Sequence, residues 1–295
     1  MQQLGGNYRV PLYRLGGVLG GSYTRSTVVG DFGALRSTGA GQTMGLNYSH
    51  YLPPDGGFRS YLTLGFDNKR FDVTKLAGVA VPGQLVRRSR PLSLGYTARV
   101  ESDASVWSAG AELLTNVVGG NGNNLTAYRS EDPRISTAGF KALRGNANVL
   151  AGFAGGWLLG LRGQMQYTHD ALISGEQFGL GGASSVRGTG ERPISGDRGL
   201  FASLEVTTPD VMPGLRLLGF MDAGWLRNTV ANTTNKPSGD QLASIGMGLR
   251  YNAGNLALSA EWGRVVNGSV LANNPNSTAP KSGDTKVHLN LSARF

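Results

Sequence analysis

The chain contains no cysteine, only three histidines and no long run of apolar residues. Without cysteine, disulfides and cysteine-rich metal sites are excluded. His50, His169 and His288 lie far apart in sequence, so neither a metal nor a cofactor is expected. No stretch approaches the roughly 18–20 apolar residues of a transmembrane helix. Residues 1–5 have neither the basic start nor the apolar core of a secretory signal.

Charge is also sparse, although its balance is basic. Charged residues make up 16% of the chain, and the formal net charge is +9. Only Arg87, Arg88 and Arg90 cluster, in a predicted loop, and no nucleic-acid-binding signature accompanies them, so no nucleic-acid partner is expected. Ser184 and Ser185 lack a recognisable histidine and aspartate set, so the chain is not expected to be an enzyme.

The chain is rich in glycine, with 46 residues, and in segments where apolar and polar side chains alternate. In the last segment Val287 and Leu289 share one face, and His288 and Asn290 share the other. A period of two is typical of a β-strand with two different faces. The alternation predicts thirteen strands, at residues 3–13, 17–29, 38–52, 58–75, 90–102, 105–118, 137–152, 157–172, 199–208, 214–227, 242–252, 254–266 and 284–295.

The connections between these strands alternate between short and long. Tight links occur at 53–57 and 252–255, whereas 77–89, 119–135 and 266–284 are long. Short turns at one end and long loops at the other predict an all-β, transmembrane, antiparallel up-and-down barrel. Its polar faces would line a wet interior and its apolar faces would contact outer-membrane lipid. A large soluble β-sandwich is the alternative, but that fold does not require short and long connections to alternate.

Two further features refine the barrel prediction. An odd strand count is unusual, because single-chain bacterial barrels have even numbers. We therefore expect residues 1–295 to be a single barrel domain that lacks its first strands. Aromatic side chains near strand ends are expected to lie at the membrane interfaces. They are Tyr13, Tyr51, Trp157, Tyr251, Trp262 and Phe295.

The connection at 173–199 is long and glycine-rich, and it carries Arg187. Long loops in compact domains usually have a function. On the strand at 214–227, Asp222 is predicted to face inward, because a carboxylate in contact with lipid is costly. Glu205 faces inward by the same alternation. A guanidinium can bind a carboxylate through two hydrogen bonds, so both acids are candidate partners of Arg187.

Three stretches of this region and one strand motif are recognisable. Residues 172–182 read Leu-Ile-Ser-Gly-Glu-Gln-Phe-Gly-Leu-Gly-Gly, residues 185–188 read Ser-Val-Arg-Gly, and residues 196–199 read Gly-Asp-Arg-Gly. Residues 220–224 read Phe-Met-Asp-Ala-Gly. Together they resemble the hallmark of the haemolysin-activator (ShlB/FhaC/HecB type) outer-membrane transporters, the TpsB proteins of two-partner secretion. The terminal Phe295 resembles an outer-membrane assembly signal.

The resemblance implies a sixteen-stranded barrel preceded by two periplasmic POTRA domains, with the long loop folded back into the interior. It implies that Arg187 pairs with Asp222 and that POTRA domains and about three strands are absent here. One departure is Thr189, which stands where the family usually has Tyr or Phe. The other positions that the resemblance assigns to the loop and strand motifs are Gly181, Gly182, Val186, Gly188, Phe220 and Gly224.

The function implied by the resemblance is translocation of a large exoprotein of the TpsA type through the outer membrane of a Gram-negative bacterium. The expected partners are this exoprotein and outer-membrane lipid, and the chain is expected to be a monomer. One alternative is a related barrel that assembles other outer-membrane proteins. A passive porin is the other alternative, although porins lack the paired arginine and aspartate motifs.

Overall fold

The computed structural model describes residues 2–32, 35–73, 75–76, 79–80, 82–231, 236–274 and 277–294. Most of these residues lie in β-strands. The strands are β1 (Gln2–Leu12), β2 (Gly17–Phe32), β3 (Leu35–Tyr51), β4 (Phe58–Phe71), β5 (Lys75–Leu76), β6 (Val79–Ala80), β7 (Arg87–Ser89), β8 (Pro91–Glu101), β9 (Ser105–Asn116), β10 (Lys141–Phe153), β11 (Trp157–Tyr167), β12 (Phe178–Leu180), β13 (Ile194–Gly196), β14 (Arg198–Thr207), β15 (Leu215–Arg227), β16 (Gly239–Ala253), β17 (Leu256–Asn267) and β18 (Thr285–Ala293).

In the part of the chain that the structure describes, helical structure occurs only in short pieces. The α-helix α1 (Leu125–Arg129) has five residues, and its N-terminus is capped by Asn124, whose side chain accepts a hydrogen bond from the Ala127 N–H. Short 3₁₀ turns lie at Tyr13–Leu15, Ala154–Gly156 and Val270–Asn273. Within the described ranges, no helix is long and apolar enough to cross a membrane.

Hydrogen-bonded neighbours in the main sheet follow the order of the chain. Among the described residues, thirteen strands form one path, and β7 pairs with β4 beside it. The path is β1-β2-β3-β4-β8-β9-β10-β11-β14-β15-β16-β17-β18. The thirteen predicted strands correspond one to one to this path, so the prediction of an all-β, antiparallel, up-and-down chain is confirmed.

Three predicted loops contain regular structure that the sequence did not indicate. Arg87 and Arg88 belong to β7, so their assignment to a loop is wrong. The 119–135 connection contains α1, and the 173–199 connection contains the β12–β13 hairpin. Each piece has only three to five residues, which is too short for side-chain periodicity to show.

The predicted strand 157–172 ends earlier, at Tyr167. Residues 168–172 instead form an irregular segment with a bend at 169–170. In it the Thr168 hydroxyl donates to the Lys141 carbonyl at 2.6 Å and accepts from the Asp170 N–H at 3.0 Å. We call residues 168–177 the base segment and residues 178–196 the tip segment.

Two compact units can be distinguished in the chain. The first consists of Met1–Arg99, Gly110–Gly145 and Gln166–Gln177, and it contains the base segment. The second consists of Val100–Ala109, Asn146–Met165 and Phe178–Phe295, and it contains the tip segment and β14–β18.

In the second unit the two faces of the sheet differ in what they contact. One face, which we call the covered face, bears Phe201, Ser203, Asp222, Leu226 and Ser244, all buried. The tip segment contributes to an apolar cluster on this face. The cluster consists of Leu180, Val186, Ile194, Phe201, Leu226, Leu242 and Ala279. The opposite face carries exposed apolar side chains, namely Leu200, Leu204, Leu217, Met221, Trp225, Ile245 and Met247.

Candidate functional site

The tip segment is a hairpin whose turn is tied together by a threonine. Strands β12 and β13 pair from Phe178–Gly196 to Leu180–Ile194. The Thr189 hydroxyl accepts from the Gly182 N–H at 3.0 Å and donates to the Val186 carbonyl at 2.8 Å. Thr189 is buried. At the position where the resemblance implies an aromatic ring, this chain therefore has a buried hydrogen-bonding side chain.

Backbone packs directly on backbone where the tip segment reaches β17. Gly188 has a φ of 88° and lies over Gly263, and a Cβ on Gly188 would come within 2.7 Å of the Gly263 carbonyl carbon. Only glycine fits such a position without strain. The two glycines thus allow the next residue back along the chain, Arg187, to enter the covered face.

Arg187 binds Asp222 through two parallel hydrogen bonds. Its Nε lies 2.8 Å from Asp222 Oδ2, and its second terminal nitrogen lies 2.9 Å from Oδ1. The backbone N–H of Arg187 also donates to Asp222 Oδ2 at 3.0 Å. This forked geometry is the stronger form of an arginine–carboxylate pair, and Lys could not reproduce it.

Four other groups complete the surroundings of the guanidinium. One terminal nitrogen donates to Glu205 Oε2 at 2.8 Å and to Glu261 Oε2 at 3.2 Å. The other donates to the Ser203 hydroxyl at 3.2 Å. The carbon at the centre of the guanidinium lies 3.5 Å from the centre of the Phe220 ring, which is a cation–π contact.

The strand register explains why these groups meet. Ser203 on β14 is opposite Asp222 on β15, and Asp222 is opposite Ser244 on β16. In the next row of the same face Phe220 is opposite Gly246. A Cβ on Gly246 would collide with the Phe220 ring, so this glycine provides the space that the ring occupies under Arg187.

A second arginine offsets part of the negative charge of the site. Arg250 lies 2.7 Å from Glu205 Oε1 and 3.5 Å from Glu261 Oε1, and its side chain is partly exposed. Burial alone would lower the pKa of Arg187, but the hydrogen bonds that Arg187 donates to Asp222 and Glu205 outweigh this effect and raise the pKa above the ordinary arginine value. Arg187 is therefore a permanent cation held by three carboxylates.

The structure brings Arg187, Asp222 and Glu205 together on the covered face. Of the other predicted motif positions, Val186 is buried in the apolar cluster, and a Cβ on Gly224 would collide with Leu180. Gly181 and Gly182 have left-handed backbone angles, with φ of 104° and 100°. The predicted assembly signal, Phe295, lies outside the described residues.

Sequence reasoning missed Glu261, Ser203 and Arg250 as members of the site. The alternation of apolar and polar residues places Glu261 on the polar face of its strand, but alternation does not give its distance from Arg187. Of the predicted interface aromatics, those in the described ranges have exposed rings. They are Tyr13, Tyr51, Trp157, Tyr251 and Trp262. In the described part of the chain, no group of three or more acidic or histidine side chains could hold a metal ion.

Comparison with known proteins identifies relatives of this fold. The chain is similar to CdiB from Escherichia coli, with a TM-score of 0.78 and 20% identity over 99% of this chain and 53% of that chain. The chain is also similar to CdiB from Acinetobacter baumannii, with a TM-score of 0.73 and 18% identity over 99% of this chain and 50% of that chain. This chain thus spans about half the length of these two proteins.

A third similar structure is BamA from Haemophilus ducreyi lacking POTRA domains 1–3. Its TM-score is 0.64 at 15% identity, over 98% of this chain and 62% of that chain. At these identities the likenesses show the fold, which is that of Gram-negative outer-membrane β-barrels. Barrels of this class turn an apolar face of the sheet toward lipid.

Sequence comparison gives the family directly. Among curated proteins, none matches this chain significantly. The family model described as haemolysin secretion/activation protein ShlB/FhaC/HecB matches residues 2–251. That match spans most of the chain and includes the tip segment and β15 with Asp222. The chain therefore belongs to the ShlB/FhaC/HecB family of haemolysin secretion and activation proteins.

Proposed function

We propose that this chain forms the membrane-spanning part of a two-partner secretion transporter, and that the whole protein passes a large exoprotein of the TpsA type through the outer membrane. The observation that carries the proposal is the forked Arg187–Asp222 pair in a chain of a secretion family. The pair fixes a segment against the covered face, on the side away from lipid. A passive porin would need no such movable segment.

In this proposal the Arg187 site holds the tip segment in its resting position. The segment carries its own buried apolar side chains, Leu180, Val186 and Ile194, onto the covered face. Cargo passage requires that segment to move, because it occupies the face along which a polar, extended chain would travel. None of these steps forms or breaks a covalent bond, so no catalytic residue, cofactor or metal is needed.

The test is secretion and conductance by the full-length protein carrying Asp222→Asn. The cargo used in the test is a large exoprotein of the TpsA type. We expect secretion to fall strongly and the baseline conductance in planar bilayers to rise, since the variant breaks the fork without changing its shape. The matched control is Arg216→Met on the same strand, whose exposed pair with Asp210 should contribute little.

Two outcomes would count against the proposal. Unchanged secretion and conductance in Asp222→Asn would show that the pair does not hold a gate. Normal secretion of the exoprotein, combined with loss of other outer-membrane proteins from the membrane, would instead favour an assembly function. The likeness to BamA makes assembly the second candidate. Migration of the unheated protein in gels reports whether each variant folds.

A further inference from the structure

A second buried ion lies in the first unit, outside the Arg187 site. Glu176 is 1% exposed and is the last residue but one of the base segment. Its Oε1 accepts from the Ser89 hydroxyl at 2.5 Å and lies 3.2 Å from Lys69 Nζ. Its Oε2 accepts from a terminal nitrogen of Arg144 at 3.0 Å. One carboxylate is thus held by three strands, β4, β7 and β10.

The backbone around Glu176 is held as well as its side chain. Gln166 Nε2 donates to the Glu176 carbonyl at 3.0 Å, and the Ser174 N–H donates to Glu131 at 2.7 Å. Gly175 lies against the Phe71 ring so closely that a Cβ would collide with it. Leu172 and Ile173 are fully buried. The base segment therefore has its own packing and its own polar contacts.

The chemistry of this site is the reverse of that at Arg187. Burial would raise the pKa of Glu176, but Lys69, Arg144 and the Ser89 hydroxyl outweigh it and lower the pKa below the ordinary glutamate value. The carboxylate is therefore ionised at neutral pH. Glu176 and its partners all belong to the first unit, whereas Arg187 and its partners all belong to the second.

We propose that Glu176 is a positioning residue that holds the base segment independently of Arg187. Loss of the Arg187 fork then releases the tip segment, residues 178–196, while residues 168–177 stay in place. The gate of the transporter is the tip alone, and the chain pivots where the two segments join, at residues 177–178. This inference rests on the proposed function only in calling the movement a gate.

The absence of native cysteine permits a direct test on the purified full chain. Val186 in the tip and Ile173 in the base are both fully buried, so Val186→Cys and Ile173→Cys should each react slowly with a maleimide. Arg187→Met should speed labelling at position 186 by about tenfold or more and leave position 173 unchanged. Glu176→Gln should instead speed labelling at position 173 and leave position 186 unchanged. Lys69→Met should act like Glu176→Gln.

Comparing the labelling rates at positions 173 and 186 in each variant decides whether the base and tip segments are held independently or move as one unit. The proposal fails if Arg187→Met also exposes position 173, if Glu176→Gln also exposes position 186, or if Glu176→Gln exposes neither position. Arg216→Met is the control for removing an exposed ion pair and should change neither rate. Because no cargo is present, failure of the secretion test would leave these rates unaffected. Gel migration of the unheated protein checks that each variant is folded.

Discussion

The Arg187 and Glu176 sites hold adjoining segments with opposite charge arrangements, and they differ in how far their partners can reach water. At Arg187, both the cation and its partner Asp222 are almost fully buried. At Glu176 the carboxylate is buried, but the side chains of Lys69 and Arg144 are 15% and 30% exposed. A charge that loses its partner costs most where it cannot regain hydration. Substitution of a charged residue should therefore be less well tolerated at the Arg187 site than at the Glu176 site.

The largest effect is expected from Arg187→Met. This change leaves Asp222 buried without its counter-ion and should lower the free energy of unfolding by about 3–5 kcal/mol. Arg187→Lys keeps the charge but loses the fork, so its cost should be intermediate. Urea unfolding of the purified chain in detergent, followed by tryptophan fluorescence, measures both. If Arg187→Met lowers the free energy of unfolding no more than Glu176→Gln does, the expected difference between the two sites is wrong.

Acid should weaken the Glu176 site in a defined pH range. The pKa of Glu176 in the folded chain is below its ordinary value of 4.5, so its stabilisation is complete above about that pH. It is lost as the pH falls from about 4.5 through the lowered pKa. At neutral pH the free energy of unfolding of the wild type should exceed that of Glu176→Gln by about 1–3 kcal/mol. This difference should shrink as the pH falls through the range given above. Parallel stability curves down to strongly acidic pH would contradict the assignment.

The two sites also differ in how far they could be predicted from the sequence. Asp222 and Glu205 were found because alternation fixes which face of a strand a side chain lies on, and lipid makes one face costly for a carboxylate. The same logic gave all thirteen strands of the sheet path. Glu261 lay on the correct face, but a face does not specify the register between strands, so its contact with Arg187 could not be predicted.

The sequence contains no comparable indication of the Glu176 site. Lys69, Ser89 and Arg144 lie 107, 87 and 32 residues before Glu176 in sequence. They come from three different strands, and β7, which carries Ser89, is too short to show any period. The predicted strand 157–172 also extended into the first residues of the base segment, because the apolar Leu172 is buried outside any strand. Such a site depends on tertiary packing.

The smallest effect is expected within the tip segment itself, at Thr189. Thr189→Val preserves shape but leaves the Gly182 N–H and the Val186 carbonyl without their partner, at a cost of about 1 kcal/mol. Thr189→Ser keeps the hydroxyl and should remain near wild type. If both variants also carry Val186→Cys, the valine should speed maleimide labelling more than the serine does. Equal labelling would mean that Arg187 alone fixes the tip; unequal labelling would mean that the turn contributes, and that a hydroxyl replaces the family's aromatic ring in this role.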